Sequence, residues 1–156
     1  MTHNEVYAYT AGLLDGEGSF LIARSPTFFA ARVTIVMTDR RPIDWLQEHF
    51  PGNNHSNTAR NPDHAEQYLW GISNKVQLAK FIPLVLPYLQ VKKIQAELVW
   101  QFCRQFPLKR KCKMTDEDRR IGEMYYKIGA LLNSKGAGSQ ELKARIVTAI
   151  TGGQGA

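Results

Sequence analysis

A chain of 156 residues, 44% of them hydrophobic, is long enough to bury one good core and too short for two ordinary domains, so one domain over 1–156 is expected. Its 20 Lys and Arg against 14 Asp and Glu leave a formal net charge of +6, which favours a polyanionic partner without excluding an ordinary basic protein. No apolar run is long enough to cross a bilayer, and the first residues carry Glu5 and no apolar stretch, so a soluble, intracellular protein with no membrane partner is expected.

In chain order, the first predicted element is a helix from Asn4 to about Asp15, with Asn4 as its cap and Val6, Tyr7, Tyr9, Leu13 and Leu14 as apolar surface. Ala8, Gly12 and Gly16 recur every four positions, which puts them on one helical face where a second helix backbone can approach closely. Gly16 and Gly18 flank Glu17, so the helix should end there, with free carbonyls and the negative end of its dipole beside a carboxylate. That arrangement repels anions and attracts a hard divalent cation.

Ser19 to Ser25 reads as a strand, Pro26 to Ala30 as a turn, and Ala31 to Thr38 as a second strand. In the second strand Val33, Ile35 and Met37 face one side, and Arg32, Thr34, Val36 and Thr38 the other. Pro42 to Phe50 is a short helix stopped by Pro51-Gly52. A hairpin follows, His55 to Arg60 and Gln67 to Ser73, turning at Asn61-Pro62-Asp63. Its second arm turns Tyr68, Trp70 and Ile72 inward and Gln67, Leu69 and Gly71 outward. Lys75 to Leu86 and Lys92 to Phe106 are helices separated by a break at Pro87. A basic connector, Pro107 to Lys113, leads to two further helices, Thr115 to Leu132 and Ser139 to Ile150. The expected fold is therefore α+β: a core of helix, two strands, helix, two strands, helix over about 4–106, with one four-stranded antiparallel sheet, followed by C-terminal helices. Cys103 and Cys112 have neither CxxC spacing nor clustered histidines and read as free thiols.

Residues 9 to 20, Tyr-Thr-Ala-Gly-Leu-Leu-Asp-Gly-Glu-Gly-Ser-Phe, resemble the LAGLIDADG motif of homing endonucleases, whose penultimate acidic residue binds the catalytic metal. That residue is Glu17 here. The resemblance continues through Tyr68-Leu69-Trp70 and Leu86 to Ala96, reaches about Pro107, and includes Leu132-Asn133-Ser134-Lys135, similar to a C-terminal DNA-contacting loop. Since the motif occurs once, and cutting two strands requires the catalytic group twice, the resemblance implies the single-motif, homodimeric type. The interface would be formed by Ala8, Ala11, Gly12, Asp15 and Gly16, with Asp15 structural or interfacial rather than a ligand.

The resemblance further implies a homing endonuclease encoded within a mobile intron and located in a prokaryotic cytoplasm or an organelle. It would make a staggered double-strand break in a long, nearly palindromic DNA target by divalent-metal-dependent hydrolysis. Mg2+ or Mn2+ would serve as cofactor, and Ca2+ would bind without supporting cleavage. Glu17 and Gly16 are the expected metal site, and Lys92, rather than Lys93, the cation that stabilises the phosphate. Related enzymes often place a glutamine at the end of the second strand, where this chain has Asp39. It either extends the metal and water network or caps the following helix. The sheet's polar face would enter the major groove, making Arg24, Ser25, Arg32, Thr34, Thr38, His55, Asn57, Arg60 and Gln67 candidate DNA contacts, together with Asn133, Ser134 and Lys135. His3, His49 and His64 read as solvated surface residues, and Lys109 to Lys113 as phosphate contacts or a solvated charge run. Intron maturase activity, with RNA as partner, and non-catalytic nucleic-acid binding are the alternatives on the same scaffold.

Overall fold

Thr2 and Glu5, rather than Asn4, start the first helix. The Thr2 amide donates to the Glu5 carboxylate at 2.6 Å and the Glu5 amide to the Thr2 hydroxyl at 3.4 Å, a capping box that opens α1 (His3–Glu17). The structure, a computed structural model, describes residues 1–57, 65–106, 114–134, 143–146 and 148, with only the backbone of Ser56 and Asn57. The helix ends where the sequence expects, but not through a left-handed glycine. Gly18 caps it in extended backbone, donates its amide to the Leu14 carbonyl, and begins β1 (Gly18–Arg24) at once. A Cβ there would lie 2.6 Å from both Cα and the carbonyl oxygen of Leu14, so close approach is what requires glycine.

After β1 a tight turn over 25–28 closes on a hydrogen bond from the Ser25 amide to the Phe28 carbonyl, at 2.9 Å, and β2 (Phe29–Met37) starts two residues earlier than composition suggests. Then come α2 (Arg40–His49), β3 (Asn53–Asn57), β4 (Gln67–Ile72), α3 (Lys75–Val85), a 3-10 turn (Leu86–Tyr88), α4 (Lys93–Gln105) and α5 (Asp116–Asn133). The strands make one antiparallel sheet in the order β1-β2-β4-β3. The turn expected at Asn61-Pro62-Asp63, Cys112, the connector at 107–113 and most of the last expected helix lie outside the described residues; 143–146 and 148 are helical. Among the described residues no helix is long and apolar enough to cross a membrane.

Alternation in the strands gives the sheet one covered face. Phe20, Ile22, Ala31, Val33, Ile35, Trp70 and Ile72 are buried beneath the helices, as period-two patterning demands. Leu14, Leu46, Leu78, Phe81, Leu98, Phe102 and Tyr125 complete the core from the helix side.

Pro83, within α3, has no amide to offer the carbonyl four residues earlier. Trp100 of α4 fills the gap, donating Nε1 to the Ala79 carbonyl at 3.2 Å, so the proline locks two helices together instead of breaking one.

Candidate active site and nucleic-acid interface

The carboxyl end of α1 gathers the candidate catalytic groups. Glu17 is its last residue and is exposed, and no hydrogen bond or ion pair reaches its carboxylate from the described residues. Lys92, the N-cap of α4, contributes no cap bond to its own helix. Its Nζ instead donates to the carbonyls of Gly18 at 2.7 Å and Leu14 at 3.0 Å, with a longer contact to that of Gly16 at 3.5 Å. A lysine there meets the negative end of the helix dipole and shares the Leu14 carbonyl with the Gly18 amide. Burial pulls the Lys92 ammonium below the usual lysine range, while the charges of Asp15 and Glu17 oppose that. Lys93, by contrast, is exposed on the first turn of α4.

Asp15 does not point toward Glu17's solvent-facing side. Its carboxylate accepts from the backbone amides of Gln90, Val91 and Lys92 at 2.8, 3.1 and 2.9 Å, which ties the segment before α4 to the end of α1. The sequence left Asp15 structural or interfacial and gave no sign of these backbone partners.

Asp39 has the contacts of a helix cap. It is the N-cap of α2, accepts from the Arg41 amide at 2.9 Å, and pairs with the Arg41 guanidinium, which holds its carboxyl down at about 2. The first β1–β2 pair is Gly18 with Ile35, and β2 ends at Met37. Asp39 lies further on and shares a cavity with Met1, Tyr9, Arg41, Pro42 and Trp45, along the amino-terminal half of α1.

The small-residue face of α1 is open. Ala8, Gly12 and Gly16 are exposed, and a Cβ built on either glycine meets nothing within 4 Å. Tyr9, 44% exposed, stands beside them. Ala11 is a correction to the expected interface set: it is fully buried within the chain, because the apolar stripe of α1 turns it toward the core.

The sheet's uncovered face brings together Ser19, Arg32, Thr34, Gln67 and His55, adding Asn53, which sequence reading missed because it began β3 two residues late. Asn57 pairs with Gln67 in backbone register on this strand. A groove of about 230 Å³ runs across the face between Arg32, Thr34, Asn53, His55 and Leu69. Ser25 sits in the hairpin turn, and Thr38 is exposed just past β2.

Arg24 belongs to the opposite face. Counting from Phe20 and Ile22, alternation carries it toward the helices, where it pairs with Glu123 of α5 at 3.0 Å and stacks over Tyr126 at 4.7 Å. The strand does not bend to bring it back, which corrects its assignment as a DNA contact. Asn133 donates its side-chain amide to the Phe20 carbonyl at 3.0 Å, pinning the end of α5 to β1 near the start of the sheet. Ser134 caps α5 through the Leu131 carbonyl at 2.7 Å. Arg60 and Lys135 lie outside the described residues.

Neither a family model nor a curated protein matches the sequence. Solved structures match it in shape. The homing endonuclease I-CvuI in complex with the I-CreI target aligns with a TM-score of 0.65 and 18% identity, over 96% of this chain and 97% of that one. The archaeal intron-encoded homing endonuclease I-Vdi141I complexed with DNA gives 0.66 and 16%, over 96% and 99%. The LAGLIDADG meganuclease I-AabMI bound to uncleaved DNA gives 0.62 and 19%, over 89% of this chain but 48% of that one. The chain therefore has the α+β fold of the LAGLIDADG homing endonucleases, with an open four-stranded antiparallel sheet backed by helices.

Proposed function

We propose that the protein is a site-specific DNA endonuclease of the homing type, working as a homodimer with a divalent metal on a long, nearly palindromic duplex. The observation that carries this reading is the exposed carboxylate of Glu17 at the carboxyl end of α1, with the Lys92 ammonium held on the carbonyls around it. DNA in the complexes of I-CvuI and I-Vdi141I supports the substrate class, and the Mg and Ca in two I-CvuI complexes support the metal.

The donor set fits a hard cation: the Glu17 carboxylate and the Gly16 carbonyl are oxygen ligands of the kind Mg2+ takes. Among the described residues, no group of three or more His, Cys, Asp or Glu could hold a metal within one chain. A site completed by a second subunit and by DNA phosphate accounts for that. When bound, the metal supplies charge stabilisation at the phosphate and a more acidic water. Glu17 anchors it. Lys92 offers a fixed positive charge for the developing charge on the phosphate, and its hydrogen bonds to α1 mean that little reorganisation is needed during the reaction. The Asp39 carboxylate, bound to Arg41, serves the α2 cap.

One motif per chain makes half of a double-strand cutter. The exposed face of Ala8, Gly12 and Gly16 suits close packing against its own copy about a two-fold axis, which would bring both Glu17 residues to adjacent scissile phosphates. In this reading the outer sheet face, with Arg32, Thr34, Asn53, His55 and Gln67, lies in the major groove. Cutting then occurs across the minor groove and leaves short 3′ overhangs.

The test uses duplex DNA spanning the joined sequences on either side of the gene's insertion point. Mg2+ should produce a staggered double-strand cut, and Glu17→Gln should abolish it while DNA affinity stays within a few-fold. Undiminished cutting by that variant would refute the assignment of Glu17.

A further inference from the structure

Asp15 places a negative charge at the carboxyl end of a helix, where the dipole disfavours it. The fold compensates by bringing a second helix to it. The amides of Gln90, Val91 and Lys92, which converge on Asp15, lead directly into α4, so the carboxylate sits at that helix's positive end. From the same segment the Lys92 side chain returns to the Leu14 and Gly18 carbonyls. The two residues form a reciprocal clasp, α1's carboxylate on the amides before α4 and α4's cap lysine on the carbonyls of α1. A lysine side chain is a flexible stem, and Lys92 makes no cap bond to its own helix. Where its ammonium can reach is therefore set by where its backbone is held.

We infer that Asp15 is a positioning residue for the cleavage site, acting through Lys92: it fixes the 90–92 backbone so that the ammonium lies on the carbonyls beside Glu17. The catalytic consequence rests on the endonuclease reading above; the clasp itself rests on the hydrogen bonds.

Asp15→Asn keeps size and one acceptor oxygen but sets an NH2 against the amides. The expected result is DNA affinity in Ca2+ within about twofold of the parent, with single-turnover cleavage of the joined-site duplex in Mg2+ slowed about tenfold or more. In 15N NMR of the free protein, the parent should show a slowly exchanging Lys92 ammonium signal that the variant lacks. A variant that retains that signal, or that cleaves at the parental rate, overturns the inference. If the parent cuts no DNA, the endonuclease reading fails, and the ammonium signal alone decides the clasp. If Asp15→Asn does not fold, amide exchange in the parent decides: slow exchange at Gln90, Val91 and Lys92 supports the clasp, and fast exchange overturns it.

Discussion

Replacing Gly12 and Gly16 together by alanine separates a paired α1 from a solitary one by the sign of a single measurement. Within one chain both positions look onto open space, with nothing within 4 Å of a new Cβ. Alanine exceeds glycine by about 0.8–1.0 kcal/mol in a helix interior. Gly16 lies in the last turn of α1 and counts for less than Gly12, so a solitary helix should gain roughly 1–1.5 kcal/mol from the pair. At about 2–4 °C per kcal/mol for a chain of this size, the melting temperature would rise by roughly 2–6 °C.

If α1 packs against its own copy, the two-fold axis doubles each substitution, and every added methyl enters a contact that only small residues allow. Overpacking costs about 1–3 kcal/mol per site, and a total of a few kcal/mol weakens dimerisation by roughly a hundredfold or more. The expected outcome is thus a variant that sediments as a monomer at micromolar concentration, melts below the parent, and loses the parent's concentration-dependent melting. A variant that melts higher with unchanged mass, or a parent that is itself monomeric, would refute the pairing.

Gly18→Ala should behave differently, because its Cβ meets Leu14 backbone atoms at 2.6 Å; a loss of about 1–3 kcal/mol in urea unfolding is expected, and full stability would contradict the close α1–β1 junction. Arg24→Ala should leave DNA affinity unchanged, since its guanidinium is bound to Glu123, whereas Arg32→Ala should cost about 1–3 kcal/mol of binding if it reads a base edge. Equal losses from both would undo the assignment of faces. Burial pushes the Cys103 thiol from 9.0 up to about 12, with the nearby charge of Lys75 opposing it. The unfolded chain therefore releases that proton first, and stability should decline as pH rises from about 9 toward 12. In a Cys112→Ser background, a thiol reagent at neutral pH should modify Cys103 only upon unfolding.

Most of the fold was legible because its signals are local. Strand alternation placed Val33, Ile35, Trp70 and Ile72 inward, and the structure buries all four. Thr115 opens α5 where the sequence begins that helix, its hydroxyl accepting from the Asp118 amide. The cap of α1 was missed by two residues, since Asn4 is as good a cap residue as Thr2 until the reciprocal bond with Glu5 is considered. Asp39 and Asp15 mark the boundary of what sequence can decide. Each is a carboxylate near a helix end, and only the contacts with Arg41 and the return of the chain at residues 90–92 show what it meets.

The uncovered face of the sheet was read as polar, yet it is mixed. Leu21, cross-strand from Arg32, is 41% exposed, and half-buried Val36 and Leu69 face each other across β2 and β4. Leaving such side chains in water brings no stabilisation, whereas a face in the major groove can set them against thymine methyl groups. Under the endonuclease reading, an apolar side chain of this kind discriminates by position: Leu21→Ser should lower affinity for a duplex carrying thymine opposite it in each half-site. The same change should leave unaffected a duplex with cytosine there, which has no methyl to lose. Binding measured over a panel of singly substituted, symmetric duplexes tests this. A uniform loss across the panel would mean that Leu21 supports the sheet and reads nothing.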